Sequence, residues 1–188
     1  KLKLAEEMLR EAQRRWISPV FVLFDSWYAG ESLLNLVAGF GWQYITKAKK
    51  NRLFEKVRLD KTFHCRYGRK CGSLRRIRHQ VLIVKDGKKY YLTNDLEQTS
   101  AEVKRNYRIR QQIEECFRLL KQEFGWGKCR AASLQAQKAH LHLGFYAFCM
   151  VQNQAVANKQ TIYAFKQALF REQIPTQADF LQRFTAVA

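Results

Sequence analysis

Acidic residues are scarce in this 188-residue sequence: 16 Asp and Glu stand against 34 Lys and Arg, a formal net charge of +18. No apolar run approaches the roughly 18 residues that a membrane-spanning helix needs, and Lys1 opens no signal-peptide pattern. Five cysteines are an odd number and too dilute for a disulfide scaffold, which favours a reducing cytoplasm. Internal repeats, low-complexity tracts and flexible linkers are lacking too. Apolar residues are plentiful, at 47% hydrophobic and 13% aromatic, which excludes a disordered basic tail. The length allows one substantial domain, or one domain with an insertion, around a real core. A folded, strongly basic chain points to a polyanionic partner.

Periodicity organises the chain. KLKLAEEMLREAQRRW places Leu2, Leu4, Met8, Leu9 and Ala12 near helical spacing, and Ser18-Pro19 breaks the pattern. VFVLF at 20–24 is a short apolar run ending in Asp25, the look of a strand buried on both faces. Ala29 to Phe40 reads as a helix closed by Gly39 and Gly41, and WQYIT at 42–46 as the next strand. Strand, helix and strand in succession predict an α/β sheet with a parallel pair. From about 47 to 98 the runs become short and β-rich, Asp86-Gly87 signals a hairpin, and Lys and Arg crowd the segment. The spacing then predicts helices over about 101–124 and 134–157, and a last pair split by Pro175.

The segment YRIRQQIEECFRLLKQEF carries the most information. At about 100° per residue, Ile109, Ile113, Cys116, Phe117, Leu120 and Phe124 fall in one arc and form a core-facing stripe. Beside it Tyr107, Arg110, Glu114, Arg118 and Lys121 share a second stripe. Taken in isolation, that stripe reads as a solvated face with pairs such as Arg110–Glu114. Its place beside the core face, and a carboxylate flanked by cations, also suit a site that binds a metal ion and phosphates together.

The spacing Tyr107, Arg110, Glu114, Lys121 resembles the Tyr-Arg-Glu-Lys signature of bacterial insertion-sequence DDE transposases, and IEECFRLLKQEFGW resembles that family's text around its catalytic glutamate. VFVLFDSWY resembles the strand that ends in the family's second catalytic aspartate, and the likeness covers roughly residues 1–155. The resemblance implies a ribonuclease-H-like core: 1–46 its first part, 47–98 a basic β-rich insertion, 99–157 the helical part with the catalytic Glu, and 158–188 carboxyl-terminal helices. It implies that Asp25 and Glu114 are catalytic and hold two Mg²⁺ or Mn²⁺ ions. It implies DNA contact by Tyr107, Arg110 and Lys121, with Arg118 on the same stripe. Two ions would activate the attacking oxygen and stabilise the leaving oxygen of an in-line phosphodiester displacement. The implied partners are double-stranded DNA (terminal inverted repeats and target) and a second copy of the chain, because synapsis joins two ends. The implied location is the bacterial cytoplasm, on the nucleoid.

One feature departs from the family. A third carboxylate belongs on an earlier strand, and the residues before Asp25 read as a helix without Asp. The expectation is a carboxyl-terminal part of a transposase that lacks its amino-terminal strands and is inactive alone. A non-catalytic DNA-binding remnant and a ribonuclease-H-like nuclease are the alternatives. His64, Cys65, Cys71 and His79 do not have paired zinc-ligand spacing. His140 and His142 point to different helix faces, and Cys116, Cys129 and Cys149 read as core thiols. Phe63, Tyr67, Tyr90 and Tyr91 among cations fit phosphate contact with base stacking, half of them being strand packing. GWGKCR ends the Glu114 helix at Gly125 or Gly127 and directs Lys128 and Arg130 toward DNA, with a solvated loop as the equal alternative.

Overall fold

The structure, a computed structural model, describes residues 1–171. One compact unit spans Lys1–Ile113 and a second begins at Glu114. In the first, the order is α1 (Leu2–Arg14), β1 (Val22–Leu23), α2 (Glu31–Gly39), β2 (Tyr44–Ala48), β3 (Leu53–Phe54), β4 (Val57–Arg58), α3 (Leu59–Thr62), β5 (Tyr67–Ser73), β6 (Gln80–Asp86), β7 (Lys89–Thr93) and α4 (Ser100–Arg108). β1, β2, β7, β6 and β5 form one mixed sheet in that order. β1 runs parallel to β2, as the strand-helix-strand pattern predicts, and the other pairs are antiparallel. The strands of 47–98 that carry VLIV and KYYLT are therefore continuous with the strands of 1–46. The two-residue β3–β4 hairpin stands outside the sheet.

Alternation along β2, β6 and β7 gives the sheet two apolar faces. Tyr44, Val81, Ile83, Tyr90 and Leu92 pack with Leu33, Leu34 and Val37 of α2 and with Ala5, Leu9 and Ala12 of α1. Ile45, Leu82, Val84 and Tyr91 point the other way, to Val103 and Tyr107 of α4. α4 begins in a capping box: the Thr99 hydroxyl accepts from the Glu102 N–H, and the Glu102 carboxylate accepts from the Thr99 N–H. Gly41, at φ +74°, closes α2 in the left-handed region that glycine enters without strain.

β1 departs from the expected strand. It is two residues long, half-buried, and bonded on one side only, so VFVLF is not sealed on both faces. Beside it Leu4, Met8, Leu23 and Ile113 line an open apolar cavity of about 450 Å³.

The helix predicted over 101–124 is also interrupted. After α4 the chain turns at Ile109–Arg110 and restarts as α5 (Gln111–Glu123). No Pro or Gly marks the break. The cause is a run of i→i−3 bonds, from the N–H groups of Ile109, Arg110, Gln112 and Ile113 to the carbonyls of Asn106, Tyr107, Ile109 and Arg110. Such tightening advances about 120° per residue rather than 100° and shifts the phase of whatever follows. The predicted core stripe does not survive: Ile109 and Ile113 are each 50% exposed, Phe117 is exposed, Cys116 and Phe124 are half-buried, and Leu120 alone is buried.

From Glu114, α5 is followed by a 3₁₀ turn (Trp126–Lys128), α6 (Leu134–Ala157) and α7 (Ile162–Arg171). α6 keeps the predicted limits; the helix expected beyond Pro175 lies outside the described residues. Gly125, at φ +71°, terminates the α5 turn, and its carbonyl bonds to His140. Trp126 packs between Phe117 and Phe145, donates to the Leu141 carbonyl, and presses onto Gly144 so closely that a Cβ there would lie 2.7 Å from the indole. Lys166 on α7 ties back to Glu123 at 2.6 Å.

Two substitutions test these cores. Leu34→Ala removes a fully buried side chain and is expected to cost about 2–5 kcal/mol in urea unfolding. Gly144→Ala is expected to cost about 1–3 kcal/mol through overpacking against Trp126, and Trp126→Leu in the same chain should relieve part of that loss.

Candidate active site at the end of the first strand

Asp25 follows β1 at the carboxyl end of a parallel strand, where α/β sheets place ligands. The chain turns there, with the Tyr28 N–H on the Asp25 carbonyl at 2.9 Å, leaving the Asp25 side chain exposed. The Ser26 hydroxyl donates to its carboxylate at 3.0 Å. Partial burial pushes the carboxyl up, but the Ser26 hydrogen bonds and the charges of Arg110 and Lys47 outweigh that, and the net pKa is lowered. Asp25 is thus an ionised oxygen donor at neutral pH.

The residues around it come from distant parts of the sequence. Lys47 lies on β2 opposite Tyr91 of β7, on the sheet face that α4 covers. Tyr107, from the last turn of α4, is 6% exposed and packs edge-on to Tyr91, ring centroids 5.4 Å apart. Its hydroxyl donates a long hydrogen bond, 3.4 Å, to the carbonyl of Phe24, the residue before Asp25. Lys47 and Arg110 lie over the Tyr107 ring at 5.3 and 5.8 Å from its centre. Burial raises the Tyr107 pKa, partly offset by Arg110, so the phenol remains a neutral donor.

Three of the sequence-predicted residues, Asp25, Tyr107 and Arg110, are therefore brought together in the first unit. In sequence Lys47 is one of many lysines; its signal is a basic residue facing Tyr91 across a register that becomes visible only when β2 and β7 pair. Glu114 is exposed in the first turn of α5, where a carboxylate complements the helix dipole. Arg118 is engaged by Glu115 one turn earlier, which raises the Arg118 pKa. Lys121, Lys128 and Arg130 are exposed.

The aromatics of the basic segment mostly do not face solvent. Phe63, Tyr90 and Tyr91 are buried, and Tyr67, 58% exposed, is the one of the four with an open ring. Trp27, two residues after Asp25, is 54% exposed. His79 bonds to the Tyr44 hydroxyl at 3.0 Å, Cys65 and Cys71 are exposed, and Cys116, Cys129 and Cys149 are half-buried. Among the described residues, no three His, Cys, Asp or Glu side chains converge as a ready-made metal site, and no helix is long and apolar enough to cross a membrane.

If Arg110 and Lys47 hold Asp25 ionised, its ¹³C-detected carboxyl titration should have a midpoint below the ordinary aspartate value of about 3.9. Arg110→Gln should move it upward. A carboxyl with a depressed pKa stabilises the fold above its unfolded pKa and loses that contribution as pH falls through the folded one, so Arg110→Gln should also reduce the acid-side pH dependence of unfolding.

The family model described as "Transposase DDE domain" matches residues 1–150. No curated protein matches the chain, and no solved structure does.

Proposed function

The chain belongs to the transposase DDE domain family, and on that premise we propose that it carries part of the catalytic core of a DNA transposase acting at insertion-sequence ends. The family consists of nucleotidyl-transfer enzymes that act on DNA and use divalent metal ions. What supports the finer reading is the convergence of Tyr107, Arg110 and Lys47 on the Asp25 end of β1.

In this reading Asp25 and Glu114 are the metal-binding carboxylates of a ribonuclease-H-like core. An ionised, exposed carboxylate is a hard oxygen ligand of the kind Mg²⁺ or Mn²⁺ takes. Asp25 and Glu114 would hold two such ions, which would supply Lewis-acid activation of the attacking oxygen and charge stabilisation of the leaving one. The protein's own groups do the rest. Arg110 and Lys47, held over the Tyr107 ring, place fixed positive charge where a phosphodiester meets Asp25. Tyr107 ties α4 to the Phe24 carbonyl and so sets the height at which Asp25 leaves the strand. Arg118, Lys121, Lys128 and Arg130 are proposed to follow the DNA backbone, and two copies to hold two ends.

In cleavage-competent protein, Glu114→Gln should abolish strand cleavage while changing affinity for inverted-repeat DNA by less than about tenfold, 1.4 kcal/mol. Surviving cleavage would reduce Glu114 to a surface helix residue. Lys121→Gln should weaken binding about equally on all sequences and flatten the salt slope by about 1.

A further inference from the structure

Next to the Asp25 site, and within the first unit, lies a polar cavity of about 290 Å³ whose lining includes Lys47, Lys89, Lys104, Arg108, Arg110 and Asp86. It is built by register. Pairing of Lys47 with Tyr91 and of Asp86 with Lys89 puts Lys47, Asp86 and Lys89 on the sheet face that α4 covers. α4 adds Lys104 and Arg108, one helical turn apart. Five cations therefore share the cavity with a single carboxylate, and Asp86 is already 3.7 Å from Lys104. Among the described residues neither Lys89 nor Arg108 forms an ion pair with a carboxylate. Like charges gathered in a concave, polar site repel one another unless an anion enters.

The occupant's chemistry follows from the two tyrosines in the lining. The rings of Tyr91 and Tyr107 are buried, and Lys47 and Arg110 lie over the Tyr107 ring. No open aromatic face is left for a base to stack on. What remains exposed is a set of guanidinium and ammonium donors, which suit the oxygens of a phosphate. Lys47 and Arg110 act on Asp25 and also line the cavity, so the two places adjoin.

We propose that this cavity is a phosphate subsite that takes one backbone phosphate of the DNA strand, next to the phosphate presented to Asp25, with Lys89, Lys104 and Arg108 as its added contacts. The proposal rests on the transposase reading and adds three residues to it.

The test uses the chain with duplex DNA of the inverted-repeat end, followed by fluorescence anisotropy across a salt series. Lys89 and Arg108 are exposed, so Lys89→Gln with Arg108→Gln should leave folding intact. One phosphate contact corresponds to about 0.9 in the slope of log K on log salt. The double variant should lose about that much, and Lys89→Arg with Arg108→Lys should retain it. Duplexes with a single neutral methylphosphonate, moved along each strand, should reveal one position that weakens the unsubstituted protein and leaves the double variant unaffected. An unchanged slope, or a double variant still sensitive at that position, overturns the subsite while Lys121→Gln continues to report DNA binding. The scan of the unsubstituted protein decides the matter even where the double variant fails to fold, since the absence of any single sensitive phosphate is an equal refutation. Salt-independent or absent DNA binding overturns the transposase reading itself.

Discussion

Tyr107 is held by two demands at once. Its ring belongs to the apolar layer between α4 and the sheet, edge-on to Tyr91, while its hydroxyl is spent on the Phe24 carbonyl at the end of β1. A phenol can satisfy both because its apolar body and polar tip are rigidly joined. The consequence is positional. The helix, the neighbouring strands β2 and β7, and the strand end that presents Asp25 all meet at one side chain, and the two cations that act on Asp25 rest on its ring. Phenylalanine could fill the same volume without fixing the strand end.

Hydrogen bonds from Ser26, and after them the charges of Arg110 and Lys47, explain why this arrangement tolerates Asp25 in an ionised state. In a chain with 34 Lys and Arg against 16 Asp and Glu, a carboxylate near the sheet is far more often beside a cation than beside another acid. Two cations stabilise a single carboxylate and still leave positive potential in excess. An excess of that kind opposes a lone divalent cation but suits a cation that arrives with phosphate, because the phosphate's negative charge offsets both. Under the proposed transposase reading, the cations and the carboxylate form one electrostatic arrangement that a polyanion completes.

Much of this was legible in the residues alone. The α2 and α6 spans, the parallel pair β1–β2 and the hairpin at Asp86-Gly87 follow from period and punctuation, which act over a few residues. The cluster of Lys47, Lys89, Lys104 and Arg108 was not legible, because it depends on which residue of β2 faces which of β7, a pairing set by burial of both sheet faces across a long loop. Nor was the break at Ile109–Arg110. A helical-wheel projection assumes constant pitch, and four i→i−3 bonds within residues 106–113, without Pro or Gly, leave no mark in composition. The Tyr-Arg-Glu-Lys spacing therefore spans the break, with Tyr107 in the last turn of α4, Arg110 in the turn itself, and Glu114 and Lys121 on α5.

The aromatic content of the basic segment takes on a different meaning once the rings are placed. Interleaved Lys, Arg, Tyr and Phe read in sequence as a stacking surface for bases. In the fold, Lys70 lies over the Phe63 ring, Lys85 over Tyr90, and Lys47 and Arg110 over Tyr107, each within 6 Å of a ring that is buried or nearly so. A ring in the core cannot stack on DNA, yet it can hold a cation above its face with about 0.5–2 kcal/mol of attraction. Lys and Arg otherwise carry up to about 2 kcal/mol of rotamer entropy that phosphate binding must overcome. Cations already seated on fixed rings have lost part of that freedom during folding, so less remains to be lost when the anion arrives. The buried aromatics of the basic segment thus serve to hold cations in place, and of Phe63, Tyr67, Tyr90 and Tyr91 only Tyr67 keeps an open ring.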